Sequence, residues 1–251
     1  MLLKNKTALI TGSNRGIGLS ILRCFAEQGC NILAHSRQED LDFIRVTEEI
    51  SKDYNVDISL IYFDLEDSSA IKSAMRSIFK AKMPVDILVN SAGIIHGGLF
   101  QMTPIVDIRR VLDINLFGML EVTQLVCKYM VRKKTGSIIN ISSVAGIDLS
   151  PGNSAYGLSK AAVIAFSKTL SAELSTYGIR VNVVAPSLTD TDMAATDQAK
   201  KEIDIWVAKY PEGRQSSAVM QALTIVQKEN GGSLNNELKQ AVADYLEMPT
   251  I

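Results

Sequence analysis

Two Tyr-x-x-x-Lys pairs are the residues of this chain whose types and spacing could carry out proton transfer. Tyr156 and Lys160 stand in SAYGLSK, and Tyr129 and Lys133 stand in KYMVRKK. Four positions make about one helical turn, so within each pair the ammonium can lie beside the phenol. A neighbouring cation stabilises phenolate, which lets a tyrosine of ordinary pKa about 10 act as a general acid closer to neutral pH. Such a pair could protonate a ketone oxygen while hydride reaches the carbonyl carbon.

The position of each pair along the chain distinguishes the two. Lys133 belongs to the basic run 132–134, which is typical of a solvated helix C-terminus favoured by the helix dipole. Tyr156 instead begins a helical pattern just after the loop that leaves the fifth predicted strand. Ligands of α/β proteins bind at that edge of the sheet. We therefore predict that Tyr156 and Lys160 are the catalytic pair.

The elements that must position these residues are short apolar runs alternating with longer helical patterns, such as Gly18–Gln28 and Leu116–Arg132. The alternation predicts βαβ units with right-handed crossovers, and the apolar strands indicate a sheet covered on both faces. The predicted fold class is α/β, a doubly wound, Rossmann-like parallel sheet of six strands. These strands are predicted at 6–11, 30–36, 58–63, 86–91, 136–142 and 180–186.

A glycine-rich turn, TGSNRGIG at 11–18, joins the first predicted strand to the first helix. Gly12, Gly16 and Gly18 suit a tight turn, close approach of the backbone to a pyrophosphate and close helix–sheet packing. The helix N-terminus adds free N–H groups and the positive end of a dipole. In this position the turn predicts a dinucleotide site, while the alternative is an ordinary strand-to-helix connection.

Charge at the end of the second strand predicts NADP(H) rather than NAD(H). An NAD site places a carboxylate there for the ribose 2′-hydroxyl, whereas this chain has Ser36 followed by Arg37. Arg15, inside the glycine turn, is a second cation directed at the same region. Guanidinium groups donate parallel hydrogen bonds to phosphate. The alternative is that both arginines are solvated surface residues.

The G-x-x-x-G-x-G spacing resembles the short-chain dehydrogenase/reductase family, and further motifs over residues 1–193 agree with it. NSAG at 90–93 resembles the family's N-N-A-G, with Ser91 in place of the second Asn. DINLFG, NISSVAG and SAYGLSK carry residues that match the family's catalytic tetrad. Within the family the chain most resembles the 3-oxoacyl-[acyl-carrier-protein] reductases. The resemblance implies catalytic residues Asn115, Ser143, Tyr156 and Lys160, and cofactor contacts at Gly12, Ser13, Arg15, Gly16, Ile17, Gly18, Ser36, Arg37, Asp64, Leu65, Asn90, Ala92, Gly93, Tyr156, Lys160 and Thr191.

The resemblance also implies a role for each catalytic residue. Tyr156 would donate a proton to the ketone oxygen, and Ser143 would hydrogen-bond that oxygen as charge develops on it. Asn115 would hold Lys160 and a water that relays protons from solvent. The implied reaction is hydride transfer from NADPH to a 3-oxoacyl thioester, with a keto sugar or a steroid-like alcohol as alternative substrates. The implied assembly is a homo-oligomer through the helix after Asn115 and the Tyr156 helix.

Composition argues against several other classes of function. A net charge of −1 and a pI near 6.2 give no cationic surface for nucleic acid or an anionic membrane. The sequence has no apolar run of the roughly 18–20 residues that span a bilayer, and its start does not resemble a signal peptide. Cys24, Cys30 and Cys127 form no CxxC and suggest free thiols in a reducing cytoplasm. His35 and His96 have no partners at metal-ligand spacing, so we predict no metal site.

The sequence after Ala195 loses the alternation of strands and helices. Three helical patterns follow, and no strand candidate is found after Pro186, so the seventh strand that the resemblance implies is missing. We predict a dinucleotide-binding and catalytic Rossmann domain at 1–195 and an all-helical tail at 196–251. From about Lys200, the stretches KEIDIWVAKYPEGRQSSAVMQALTIVQKENGG and ADYLEMP resemble the N-terminal helical part of the E-type subunit of NADH–quinone oxidoreductase. A divergent reductase C-terminus is the alternative.

The missing strand leads to a second hypothesis for function. Without a seventh strand, the sixth exposes unpaired N–H and C=O groups unless the tail covers them. An amphipathic helix at 203–210 could dock there. The chain could then be a catalytically impaired fusion or truncated reductase that binds nucleotide or acts as an interaction segment. The complete tetrad favours catalysis.

Overall fold

The computed structural model describes residues 1–148, 151–187, 203–205, 207–209, 218–229, 241–243 and 245–246. Six strands lie in these ranges, and each is within two residues of a predicted one. They are β1 Thr7–Thr11, β2 Asn31–Ser36, β3 Ile58–Tyr62, β4 Ile87–Asn90, β5 Gly136–Ile141 and β6 Ile179–Val184.

The strands form one parallel sheet in the order β3-β2-β1-β4-β5-β6. The chain runs outward from β1 to β3, returns, and runs outward from β4 to β6. The predicted α/β fold class is confirmed, and the switch point lies between β1 and β4. Ligands of doubly wound sheets bind at the carboxyl ends of the strands at such a point.

Helices cover the connections between the strands. Asp40 and Asp67 fix two helix starts, because each carboxylate accepts two N–H groups of the following turn. In the described ranges, no helix combines the length and the hydropathy that crossing a bilayer requires. The helices are α1 Gly16–Glu27, α2 Leu41–Tyr54, α3 Ser68–Lys80, α4 Ile105–Leu112, α5 Met119–Lys133, α6 Ser154–Leu174 and α7 Val219–Glu229, with a π-helical turn at Asp113–Gly118 between α4 and α5.

Alternate residues of the central strands supply two separate hydrophobic cores. Leu9 and Leu88 pack on one face of the sheet with side chains of α3 and α5, such as Met75 and Val126. Their sequence neighbours on β1 and β4 pack on the other face with side chains of α1 and α2. Both faces are therefore covered over β1 and β4, as their continuous apolar sequences predict.

β6 differs from the central strands because it buries only one face. Ile179 and Val181 are buried, whereas Arg180 and Asn182 between them are exposed. This alternation is that of a strand with one solvated face. The prediction that both faces of the sheet are covered is therefore wrong for β6, whose sequence RVNVV alternates polar and apolar residues.

The described residues of the tail form a cluster of their own. Ile203 packs with Ala222, Val226 and Leu246, and the other buried members of this cluster also come from the tail. α7 and the helical residues 203–205 and 241–243 agree with the predicted helical character of this region. Trp206 and Tyr210 of the predicted docking helix lie outside the described residues.

We expect Met130→Ala to lower the free energy of unfolding by about 2–5 kcal/mol, because it leaves a cavity at a fully buried position. Met130 lies near the end of α5 against Gly136, at the edge of the sheet opposite the predicted site. Met102→Ala is the matched control, since Met102 is 72% exposed. Urea unfolding followed by circular dichroism measures both. Equal losses in the two variants would show that this core is wrongly placed.

Candidate active site

The predicted site residues that the structure describes lie where the strands of the sheet end. The glycine turn leaves β1, Ser36 and Arg37 end β2, and the segment 90–93 ends β4. Because parallel strands point the same way, their carboxyl ends bring these segments to one edge. Thr191 lies outside the described residues, so its predicted cofactor contact stays a prediction.

Gly12 begins the turn in a conformation that only glycine adopts easily. Its φ is +64°, and a Cβ there would lie 2.7 Å from the Cα of Ala92. Both the backbone strain and the close approach therefore exclude a side chain at this position. Gly18 packs against the carbonyl of Gly12, which brings α1 against the turn. The backbone is thus packed as a phosphate-binding turn requires.

The first turn of α1 supplies donors for an anion. Arg15 stands at the N-cap position, but its side chain makes no capping hydrogen bond. The side chain of Arg15 is exposed, as is that of Arg37. Free backbone N–H groups with guanidinium groups nearby suit a phosphate.

The ends of β2 and β3 place the predicted adenosine contacts. Ser36 is buried, and its hydroxyl donates to the carbonyl of Gln38 at 2.7 Å. Asp64 follows β3, and its carboxylate accepts the N–H of Glu66 at 3.0 Å. Leu65 is buried against Gly118 of the π-helical turn.

The segment after β4 is tied to β1 by a threonine that sequence reasoning missed. The Oγ1 of Thr11 accepts the N–H groups of Ser91 and Ala92, at 3.1 and 3.2 Å. This bridge holds Ala92 against Gly12. Asn90 points into the protein, where its Nδ2 donates to Thr123 at 2.9 Å and Asn140 at 2.8 Å. Its side chain therefore joins β4 to β5 and α5, and the predicted cofactor contact of Asn90 stays a prediction.

Lys160 presents a buried cation to the site. It is 5% exposed, its Nζ donates to the carbonyl of Ile141 at 2.9 Å, and its Nζ lies 5.7 Å from the ring centroid of Tyr156. Both residues belong to the first turns of α6, so helical geometry sets their relation. Burial lowers the pKa of Lys160 from 10.5 to about 8. The predicted pair is therefore brought together at the end of β5.

Asn115 lies in the π-helical turn, where its amide clamps the backbone of Ile94. Its Nδ2 donates to the Ile94 carbonyl at 2.9 Å, and its Oδ1 accepts the Ile94 N–H at 2.8 Å. Asn115 and Lys160 meet at Gly93, where a Cβ would lie 3.1 Å from Oδ1 and 3.5 Å from Nζ. Single-turn π-bulges often occur at functional sites, because they turn side chains out of helical register. The sequence analysis predicted Asn115 as a site residue but did not predict the π-helical turn that holds it.

Ser143 stands in the loop that leaves β5. Its hydroxyl oxygen accepts the N–H of Ala145 at 3.1 Å, so its own proton can be donated elsewhere. The neighbouring backbone is fixed to the end of β6, since Ser142 and Val144 donate to the carbonyls of Val184 and Pro186. The loop therefore has a defined position relative to α6.

The second Tyr-x-x-x-Lys pair lies elsewhere. Tyr129 stacks on Phe79 of α3, with ring centroids 5.1 Å apart, and Lys133 lies 4.7 Å from the tyrosine ring. Lys133 is exposed in the last turn of α5. This pair joins two helices at the surface, as the sequence predicted for its lysine.

Two serines also support the site without having been predicted. Ser142 donates to the carbonyl of Lys160 at 2.8 Å, and Ser159 donates to the carbonyl of Tyr156 at 2.7 Å. Ser159 also accepts from Asn115 at 3.1 Å. The bonds of Ser142 to Lys160 and of Asn115 to Ser159 do not follow from spacing, because each joins distant parts of the chain.

An open parallel sheet with a glycine turn at its switch point defines a Rossmann-like protein. Residues 6–202 match the family described as short chain dehydrogenase. The chain belongs to this family of oxidoreductases.

Curated relatives agree with the family. The chain is 34% identical over 215 residues to the 3-oxoacyl-[acyl-carrier-protein] reductase of Chlamydia trachomatis, covering 85% of each protein. It is 36% identical over 215 residues to the same-named enzyme of Thermotoga maritima, covering 85% of this chain and 86% of the relative. It is also 35% identical over 216 residues to a 3alpha-hydroxysteroid dehydrogenase of Mediterraneibacter gnavus, covering 85% of each. Coverage of 85% means that the similarity extends past Ala195.

Solved structures share the fold. A short-chain dehydrogenase from Sphingobium yanoikuyae in complex with NADPH has a TM-score of 0.69 at 30% identity, covering 75% of this chain and 73% of that one. ElxO with NADP bound has a TM-score of 0.71 at 30% identity, covering 84% of this chain and 82% of that one.

The buried ammonium of Lys160 predicts a pH dependence of stability. The pKa is about 8 in the folded chain and 10.5 for a free lysine, so between these values the folded state binds fewer protons than the unfolded state. The free energy of unfolding should therefore rise as pH rises from about 8 to 10.5, by up to about 3 kcal/mol. Below pH 8 the penalty for burying the charge is fully present.

Lys160→Met should abolish this rise, whereas Lys168→Met, which removes an exposed lysine from the same helix, should retain it. Urea unfolding of the three proteins between pH 7 and 10.5 measures the difference. An unchanged slope in Lys160→Met would contradict the assignment of a buried ammonium.

Proposed function

We propose that this chain is an NADP(H)-dependent reductase that transfers a hydride from NADPH to a ketone, with Tyr156 as the general acid. The observation that carries the proposal is the buried Lys160 ammonium beside the Tyr156 ring, at the carboxyl end of the sheet. The packing at Gly12, where a Cβ would meet Ala92, fits a dinucleotide whose diphosphate approaches the backbone closely.

The reaction balances with two transfers. When bound, NADPH would supply a hydride to the carbonyl carbon. Tyr156 would give its phenolic proton to the oxygen, so that the ketone becomes an alcohol. Lys160 stabilises the phenolate left behind, because its charge is close and poorly solvated. Ser143 donates to the carbonyl oxygen as negative charge develops there, which typically contributes about 2.7–4 kcal/mol.

In this proposal, Asn115 supports Lys160 by holding the backbone beside it. The two hydrogen bonds from Asn115 to the Ile94 backbone fix the position of Gly93, and the Lys160 Nζ lies beside Gly93. A proton relay from solvent through a water at Asn115 stays part of the proposal. It would restore the proton on Tyr156 after each turnover.

The substrate that we propose is a 3-oxoacyl thioester. Similarity to 3-oxoacyl-[acyl-carrier-protein] reductases of two bacteria supports it. Comparable identity to a 3alpha-hydroxysteroid dehydrogenase keeps a steroid-like alcohol as a second candidate. A role in fatty acid synthesis remains a prediction. Assembly through α5 and α6 also remains a prediction; Phe117, in the π-helical turn before α5, and Leu158 of α6 are exposed.

A second candidate function follows from the tail. The described residues of the tail pack with one another, which agrees with the predicted helical unit at 196–251. In that case the chain could bind nucleotide while catalysing poorly, or serve as an interaction segment. Its resemblance to the E-type subunit of NADH–quinone oxidoreductase stays a prediction. Oxidation of NADPH by acetoacetyl thioester distinguishes the two candidates, because a non-catalytic chain would bind NADPH without oxidising it.

Tyr156→Phe should lower turnover of an acetoacetyl thioester by about a thousandfold, because the proton donor is lost. Binding of NADPH should be unchanged; a Tyr-to-Phe variant of the neighbour ElxO has been solved with NADPH bound. Tyr129→Phe is the matched control and should retain full turnover. Steady-state oxidation of NADPH, followed by its absorbance, measures all three. Near-normal turnover in Tyr156→Phe would sink the proposed mechanism.

The wild-type chain should prefer NADPH to NADH, and Arg37→Ala should raise the KM for NADPH by about 10–100-fold with little change for NADH. The reason is that a guanidinium hydrogen-bonded to the 2′-phosphate has no such partner in NADH. Arg23→Ala, which removes an exposed arginine of α1, is the control. A wild-type preference for NADH would show that the cofactor is wrongly assigned.

A further inference from the structure

His35 joins the ends of three strands by hydrogen bonds of its side chain and backbone. It is the penultimate residue of β2 and is 2% exposed. Its Nδ1 accepts the N–H of Gly12 at 3.1 Å, and its Nε2 lies 2.9 Å from the carbonyl oxygen of Phe63. Its own carbonyl accepts the backbone N–H of Ser13 at 2.9 Å and the Ser13 hydroxyl at 3.2 Å.

These contacts fix the protonation state of the imidazole. The backbone N–H of Gly12 can only donate, and the carbonyl of Phe63 can only accept. Both bonds therefore form together only when the ring is neutral and carries its proton on Nε2. Burial lowers the pKa of His35 from 6.5 to about 4, against the opposing effects of the Phe63 carbonyl and the Asp64 carboxylate. The ring is accordingly neutral at neutral pH.

The glycine turn is held from two sides, by Ala92 and by His35. Ala92 blocks movement toward β4, since a Cβ on Gly12 would lie 2.7 Å from its Cα. His35 holds the turn on the β2 side through Gly12 and Ser13. The same ring lies against the ring of Phe63, the residue before Asp64, with centroids 3.8 Å apart and the planes tilted by 37°. One side chain thus connects the diphosphate part of the site to the residue predicted to contact adenine.

We propose that His35 is a positioning residue for the dinucleotide, whose neutral imidazole holds the Gly12 N–H and the end of β3 in the geometry that binds the cofactor. The residue acts through Gly12 and Phe63 and does not itself touch the cofactor. This inference rests on the proposed NADP(H) binding. It adds a residue outside the sequence motifs that predicted the cofactor site.

Two substitutions separate the two bonds of the ring. In His35→Asn the amide oxygen falls near the position of Nδ1, so it can still accept from Gly12. In His35→Gln the amide nitrogen falls near the position of Nε2, so it can still donate to Phe63 but leaves the Gly12 N–H without its acceptor. If His35 positions the glycine turn, the Kd for NADPH should rise about tenfold in His35→Gln. In His35→Asn it should stay within about threefold of the wild-type value. Fluorescence titration of the full-length chain measures the Kd without any need for turnover.

Met130→Ala is the control for stability, because it weakens the core at the opposite edge of the sheet. Met130→Ala should leave the Kd for NADPH unchanged, even if it lowers the free energy of unfolding more than His35→Gln does. An equal rise of Kd in Met130→Ala, or no rise in a folded His35→Gln, would overturn the positioning role. If the wild-type chain itself binds no NADPH, the proposed function falls with it; wild-type binding together with an unaffected Gln variant overturns the inference about His35 alone.

A measurement on the wild-type chain keeps the test independent of whether the variants fold. Long-range ¹H–¹⁵N spectra should show His35 protonated on Nε2 and unprotonated on Nδ1, with a shift of the Nδ1 signal when NADPH is added. A proton on Nδ1 would overturn the proposal, because that nitrogen could not then accept from Gly12. An Nδ1 signal unaffected by saturating NADPH would do the same.

Discussion

The buried ammonium of Lys160 is the constraint on which the catalytic half of the site depends. A cation that is 5% exposed must be compensated, and the carbonyl of Ile141 at the end of β5 receives it. This bond and the hydrogen bond from Ser142 to the Lys160 carbonyl hold the start of α6 against the end of β5. Tyr156, one turn earlier, is consequently placed over the same edge. A side chain at Gly93 would be tightly packed, since a Cβ there would lie 3.1 Å from the Asn115 Oδ1 and 3.5 Å from the Lys160 Nζ.

The cofactor half of the site is organised by backbone contacts rather than by charge. Gly12 lies against Ala92 on one side and His35 on the other, and Thr11 ties the segment after β4 to β1. These contacts join three strands that are distant in sequence. They leave the first turn of α1 open to an anion, while the exposed Arg15 and Arg37 stand near the ends of neighbouring strands. The two halves meet at the segment 90–93, which contacts the glycine turn through Ala92 and the lysine through Gly93.

Much of this arrangement could be predicted from the sequence, because periodicity and spacing are local properties. The alternation of apolar runs and helical patterns located the six strands that the structure describes. The four-residue spacing of Tyr156 and Lys160 requires them to share a helix face, and context correctly separated them from Tyr129 and Lys133. What escaped prediction depends on contacts between distant segments. His35 was considered only as a metal ligand, and Thr11 and Ser159 gave no signal, because their partners lie on other strands or helices.

The sequence by itself determined the class of fold, the position of the glycine turn and the shared helix of Tyr156 and Lys160, since each depends on the order and spacing of nearby residues. Only the tertiary structure decided that the Lys160 ammonium is buried on a strand carbonyl, that Asn115 lies in a π-helical turn, and that His35 holds Gly12. It also decided that β6 buries one face while the tail residues it describes pack with one another. The physical reason is that burial and hydrogen-bond partners depend on which segments the sheet brings side by side. Local patterns in the sequence do not specify which segments become neighbours.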